Sequence, residues 1–235
     1  MYKRQGIGSL YVGFGVSPHI HLVSIAVLLI VFLIMLLPVV LAYHDESSSD
    51  GHAIALPKRA VWGLALIAFC SMLNEGVIAD WSAVYMAEEL KSSPFLTGLA
   101  FSGYAMMMAV GRFSGDMLIP RIGNRRIVLT GAMITLFGIV TALFSQMAFV
   151  SIGGFALVGL GLSCIVPVVF SASAKIPGMS SGEGIAATAT IGYTGFLLGP
   201  PIIGWIADET SLTLAMSTVG VLAIVMALLS FRVRL

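Results

Sequence analysis

Two carboxylates, Glu75 and Asp80, stand inside the stretch 60–87, which carries no other charge. An acid placed in so long an apolar run is costly unless it has work to do, so it defaults to a functional hypothesis. On a helix, Glu75 lies about 22 Å from the start of the run at ~1.5 Å per residue, far from either end. At 100° per residue, Ser71, Asn74, Ile78, Trp81, Ser82 and Tyr85 fall in one arc that ends at Glu75. An amide, a carboxylate, an indole and a phenol on one face suit hydrogen bonding and stacking against a polar solute. Asn74, Glu75, Trp81 and Tyr85 are therefore solute-binding candidates. Tyr193, beside Thr190 and Thr194, is the best contact from a second helix. Glu75 is also the proton-coupling candidate, a carboxyl that takes up and releases a proton as its surroundings change. The competing reading is that Asn74 and Glu75 only satisfy neighbouring helices. Asp80, about 140° round from Glu75, reads as a structural partner.

A second constellation is Gly111-Arg-Phe-Ser-Gly-Asp116-Met-Leu-Ile-Pro120-Arg121-Ile-Gly123-Asn-Arg125-Arg126. It reads as a short turn between two helices: glycines for close approach and positive φ, Pro120 as a helix stop, and Asp116 as a carboxylate among arginines. A third is Gly199-Pro200-Pro201-Ile-Ile-Gly204, which removes two backbone donors and permits close helix contact, as a bend at an outer gate would. Pro167 with Gly159 and Gly161 has the same bending character. His19 and His21 suit an interfacial position. Cys70 and Cys164 lie in apolar runs as small hydrophobes, and no residues stand at metal-ligand spacing.

The elements that must hold these groups follow from composition. Of 235 residues, 58% are apolar and 10% charged, against roughly a quarter charged in a soluble domain. A water-soluble globule is excluded, because its surface could not be covered with polar groups. With a net charge of +1, the chain also lacks the basic surface that nucleic acid demands. Seven uncharged or nearly uncharged runs are long enough to cross a bilayer as helices: 22–42, 60–87, 95–115, 127–144, 147–172, 185–207 and 211–231. Their length and their Leu, Ala, Gly and Met content favour helices over barrel strands. If the 43–59 loop is cytoplasmic, Lys58, Arg59, Arg112, Arg121, Arg125, Arg126, Lys175, Arg232 and Arg234 all fall inside, together with the C-terminus. Lys91 then lies outside with Glu88, Glu89, Asp208 and Glu209. The positive-inside rule supports this topology.

The Gly111–Arg126 segment resembles the loop signature of the major facilitator superfamily, Gly-x-x-x-Asp-Arg-x-Gly-Arg-Arg, in its longer Gly-Arg-x-x-Gly-Asp form. Residues 69–86 and 192–204 resemble helices 7 and 11 of the bacterial fucose-permease and sugar-transporter-like branch. The departure is Met117, where that family prefers Arg or Lys, which puts a complete charge-relay latch in doubt and leaves Asp116 to pair with Arg125 or Arg126. The resemblance implies an all-α membrane protein of two six-helix halves with a solute site between them at mid-membrane. The signature then corresponds to the copy between helices 8 and 9. On that numbering, 6–42 is an outer loop and helix 6, 43–59 the central cytoplasmic loop, and 60–235 the C-terminal six-helix half. Helices 1–5 would be missing, and the face formed by helices 7, 8, 10 and 11 would stand open. Gly111, Asp116, Gly123, Arg125 and Arg126 would act in the gating loop, with Gly199, Pro200 and Pro201 at the outer gate.

The implied activity is secondary active transport of a small organic solute by alternating access in a bacterial inner (plasma) membrane. The solute would be a sugar or related compound and the coupling ion a proton. Efflux of drugs or metabolites on the same fold, and a half-transporter or scaffold that moves nothing, are the alternatives. Partners are the lipid bilayer, the solute, the proton and the missing half; no cofactor, metal or nucleic acid is called for. An enzyme is disfavoured by the lack of a Ser/His/Asp set, a His-rich box or a phosphate loop. Met1-Tyr-Lys-Arg-Gln5 matches the translation of a transposon end used in preparing sequencing libraries, so 1–5 reads as a cloning or assembly scar. An ordinary basic N-terminus is the competing reading, and a secretory signal over 1–43 is a third, disfavoured by the length of its apolar stretch.

Overall fold

The computed structural model describes residues 20, 23, 24, 26–28, 30–35, 59–233 and 235. The chain divides into two units, Met1–Asp50 and Gly51–Leu235. In the first, Ala26–Met35 is a short apolar helix within the expected 22–42 span. Apart from residues 23 and 24, the remainder of that span, the 1–5 segment, His19 and His21, and nearly all of the 43–59 loop lie outside the described residues.

The second unit is helical: α1 (Arg59–Glu88), α2 (Pro94–Ile122), α3 (Asn124–Phe144), α4 (Ala148–Leu162), α5 (Ile165–Ser173), α6 (Ser181–Glu209) and α7 (Leu212–Arg232). With α4 and α5 taken as one interrupted span, six of its helices are long and apolar enough to cross a membrane. α1, α2, α3, α4 and α7 are apolar nearly all round, as expected where one side meets lipid and the other meets protein. Burial therefore cannot choose the contact faces; close approach of backbones does.

Central α1 packs on α6, α7, α2 and α5, while α4 fits between α2 and α3, and α3 leans on α7. The seams are built on glycine. A Cβ on Gly138 would stand 2.7 Å from the Gly154 carbonyl oxygen, and one on Gly161 would stand 2.5 Å from that of Gly131, so α3 and α4 meet backbone to backbone. The α1/α6 seam repeats this: a Cβ on Gly195 would lie 2.5 Å from the Phe69 carbonyl oxygen, and one on Gly76 would lie 2.7 Å from that of Phe196. Phe196 is four residues before Pro200, so its carbonyl has lost its helical donor and turns this oxygen onto Gly76.

Three local outcomes differ from the sequence expectation. α2 runs through Gly111, Asp116 and Pro120 to Ile122, because the missing N–H of a proline in the last turn releases only one carbonyl. The stop is Gly123 at φ 86°, whose N–H donates to the Ile119 carbonyl at 2.9 Å, and α3 begins at the next residue. α6 stays helical across Pro200 and Pro201. The expected bend in the fifth span is an interruption at Ser163-Cys164, where Pro167 has no N–H to give to the Ser163 carbonyl. The break is dressed by side chains: Ser163 Oγ donates to the Leu160 carbonyl at 2.6 Å, and Cys164 Sγ to the Gly111 carbonyl at 3.2 Å. α6 starts with a capping box in which Ser180 and Glu183 satisfy each other's backbone donors.

Candidate functional site

Glu75 on α1 faces Arg112 on α2, with the guanidinium Nη2 3.5 Å from Oε2. This is the one ion pair among the described residues. The carboxylate is mostly enclosed, its side chain 16% exposed, whereas that of Arg112 is 50% exposed. Glu75 Oε1 is buried with no hydrogen-bond partner among the described residues. Both members open on a cleft of about 420 Å³ whose other walls are Met72 from α1, Val166, Pro167 and Phe170 from α5, and Tyr193 and Phe196 from α6. The α4/α5 break lets α5 present Pro167 and Phe170 to this space. A cation and an anion at its floor, with aromatic and aliphatic flanks, suit a small solute that combines a polar or charged group with an apolar edge.

Of the expected binding residues, Glu75 and Tyr193 come together in the cleft. Trp81 lies apart: it is half-buried, its Nε1–H donates to the Pro200 carbonyl at 3.2 Å, and its ring rests on Gly204. Asn74 and Tyr85 are corrected. Asn74 is fully buried and its Nδ2 donates to the Val219 carbonyl of α7 at 3.3 Å; Tyr85 is buried, with its hydroxyl on the Leu143 carbonyl of α3 at 3.0 Å. The parts of the arc that carry Asn74 and Tyr85 are covered by α7 and α3, because α1 is the most enclosed helix of the bundle. Asp80 is exposed and has no ion-pair partner among the described residues, contrary to the structural role expected of it.

The loop residues also divide. Gly111 is a contact point, since a Cβ there would collide with the Ser163 side chain at the α4/α5 break. Gly123 makes the turn. Asp116, Arg125 and Arg126 are exposed, and no ion pair joins them among the described residues. Arg125 instead lies over the Phe231 ring of α7, 4.8 Å from its centroid. Gly199 and Pro200 form the junction with α1, a Cβ on Gly199 falling 3.0 Å from the Leu73 carbonyl oxygen and the Pro200 ring lying near Gly76; the neighbouring Pro201 is exposed. Arg112 was read only as a loop cation at the end of a shorter span. The signal that could have found it is its position two turns and more inside a helix that continues to Ile122.

Six membrane-length helices seamed by glycine, with a charged pair at a cleft between them, define a polytopic membrane protein of the transporter type. The chain belongs to the Major Facilitator Superfamily, whose profile matches residues 64–235. An uncharacterized MFS-type transporter of Yersinia pestis is 32% identical over 213 residues, covering 91% of this chain and 55% of that protein. Membrane protein MosC of Rhizobium meliloti is 31% identical, covering 78% of this chain and 46% of its own length. The chain thus spans about half the length of the curated relatives it matches. The fold is shared with the Escherichia coli fucose:proton symporter FucP at a TM-score of 0.74 and 17% identity, over all of this chain and 62% of that one.

Proposed function

We propose that this chain supplies one wall of a secondary transporter that moves a small polar organic solute across a bacterial inner membrane by alternating access. The observation that carries the reading is the Glu75–Arg112 pair, set within two membrane-spanning helices and open to the cleft among α1, α2, α5 and α6. A charged pair at that depth is costly unless it meets solute, ion or water. Tyr193, Phe196 and Phe170 line the cleft as hydrogen-bonding and stacking surfaces. In this reading 60–235 is the C-terminal six-helix half. The open faces of α2 and α6, the two least buried spans, would receive the opposite half. FucP, with which the fold is shared, is by its name a fucose:proton symporter. The corresponding coupling group here is Glu75, protonated in one orientation of the cleft and ionised in the other. The arginines at the α2/α3 turn and the C-terminal end of α7 would lie on the cytoplasmic side.

The test is uptake by the complete transporter in proteoliposomes under an imposed pH gradient. Accumulation of a sugar or sugar-like solute that collapses with the gradient is the expected result. A Glu75→Gln variant that still accumulated solute against its gradient would remove Glu75 from coupling.

A further inference from the structure

Arg125, in the first turn of α3, lies with its guanidinium carbon 4.8 Å from the centroid of the Phe231 ring, in the last turn of α7. A guanidinium laid on a ring face is held in place while the N–H groups at its edge stay free to donate. No ion pair among the described residues occupies them. Arg232, the last residue of α7, is exposed beside that ring and likewise has no ion-pair partner among the described residues. The acids of this end give no relief: Asp116 joins no arginine in an ion pair, and Glu183 is engaged in the α6 cap.

From these arginines an exposed apolar row runs up α7. Val221, Ile224, Leu228 and Phe231 are all exposed, and with Arg232 they fall within an arc of roughly 100°. Val221 to Phe231 spans ~15 Å at ~1.5 Å per residue, about half of a ~30 Å hydrocarbon core. The row therefore matches the depth of one leaflet, and the two arginines stand where headgroups lie. Neither α3 nor α7 lines the Glu75–Arg112 cleft, so this seam is apart from the faces that the opposite half would cover. An occupant must be anionic at one end and apolar for the depth of a leaflet.

We propose that the α3/α7 seam holds one anionic phospholipid, its phosphate bound by Arg125 and Arg232 and an acyl chain laid along the exposed row of α7. A phosphodiester offers acceptor oxygens that a guanidinium fork matches, and the Phe231 ring sets the Arg125 fork in advance. A glycerol headgroup leaves the lipid net negative, whereas a choline headgroup brings its own cation toward the two arginines. Phosphatidylglycerol is therefore preferred over phosphatidylcholine. The inference needs only that the helices stand in a bilayer, and holds whatever solute the cleft takes.

The experiment titrates the complete transporter, delipidated in detergent, with phosphatidylglycerol, with phosphatidylcholine of the same acyl chains, and with inorganic phosphate, and counts bound molecules by native mass spectrometry. The unmodified protein is compared with Arg125→Gln/Arg232→Gln, with Phe231→Leu, and with Arg121→Gln/Lys175→Gln, which removes the same charge from the same end but outside the seam. The expected result is one phosphatidylglycerol retained about tenfold more tightly than phosphatidylcholine and not displaced by inorganic phosphate. Arg125→Gln/Arg232→Gln should lose that preference, Phe231→Leu should weaken it several-fold, and Arg121→Gln/Lys175→Gln should keep it. Equal retention of the two lipids overturns the proposal. So does an equal loss in both double variants, which would mean diffuse surface charge in place of a site. Displacement by inorganic phosphate would assign the arginines to a soluble anion and overturns it as well. If Arg125→Gln/Arg232→Gln does not stay monodisperse, the lipid comparison on the unmodified protein and on Phe231→Leu decides.

Discussion

Asn74 shows how a polar side chain in a membrane helix can be essential without meeting a solute. Its Nδ2 donates to the Val219 carbonyl of α7, and its Oδ1, like Ser71 Oγ, is buried with no partner among the described residues. A hydrogen bond of this kind between membrane helices contributes about 1 kcal/mol on average, so Asn74→Ala should lower the unfolding free energy in detergent by ~1–2 kcal/mol. The KM for solute should not move. A large KM change with unaltered stability would return Asn74 to the cleft. Tyr85→Phe should behave alike, since it removes only the hydroxyl held by the Leu143 carbonyl. Glu75 and Arg112 are the contrasting case, where substitution should change transport and its pH dependence first. Their pairing was not legible in the sequence: Glu75 announced itself as an acid in an apolar run, but Arg112 was masked by neighbouring arginines and by the assumption that Pro120 and the glycines around it end a helix early.

At the scale of elements, five spans of the second unit were read to within a few residues, because an uncharged run of membrane length has one stable solution. The exception was α2, which exceeds its expected end by seven residues, since charge content marks where a helix leaves lipid and not where it stops. Which faces touch was also hidden, as helices apolar all round give no stripe to read. Glycine spacing was the surviving clue, visible as a bending signal at Gly159 and Gly161, although both turn out to be contact points. The α4/α5 break makes the sharpest element-scale prediction. Pro167→Ala restores a donor to the Ser163 carbonyl, and interior proline costs a helix about 3 kcal/mol or more, so the variant should be at least as stable to heat as the parent. Transport turnover should nonetheless fall several-fold, because α5 can no longer present Phe170 to the cleft in the same way. Unchanged turnover would show that the interruption is only a packing accommodation.

Across the whole unit, charge is polarised along the membrane normal. Arg121, Arg125, Arg126, Lys175 and Arg232 cluster at the ends joined by the α2/α3 and α5/α6 turns, while Glu88, Glu89, Asp208 and Glu209 occupy the opposite end with Lys91. Insertion with the basic end inside is the orientation that the K/R bias predicts. In a cysteine-free background, Ser93→Cys, at an exposed position, should react with a membrane-impermeant maleimide on intact cells, whereas Gly178→Cys should react only after the membrane is opened. The reverse pattern would invert the topology and with it the cytoplasmic assignment of the Gly111–Arg126 segment.

The glycine seams have one more implication, for the routes by which such a chain can vary. Where leucine meets leucine, a substitution can shrink one side and let its neighbour grow, so sequences drift in compensating pairs. Where Gly138 meets the backbone of Gly154, and Gly161 that of Gly131, neither partner has a side chain to give up. Every single-residue change there adds atoms against main chain that cannot be trimmed. These positions are fixed points of the fold, and diversification of what the cleft accepts is channelled to residues such as Tyr193, Phe196 and Phe170, whose side chains end in open space.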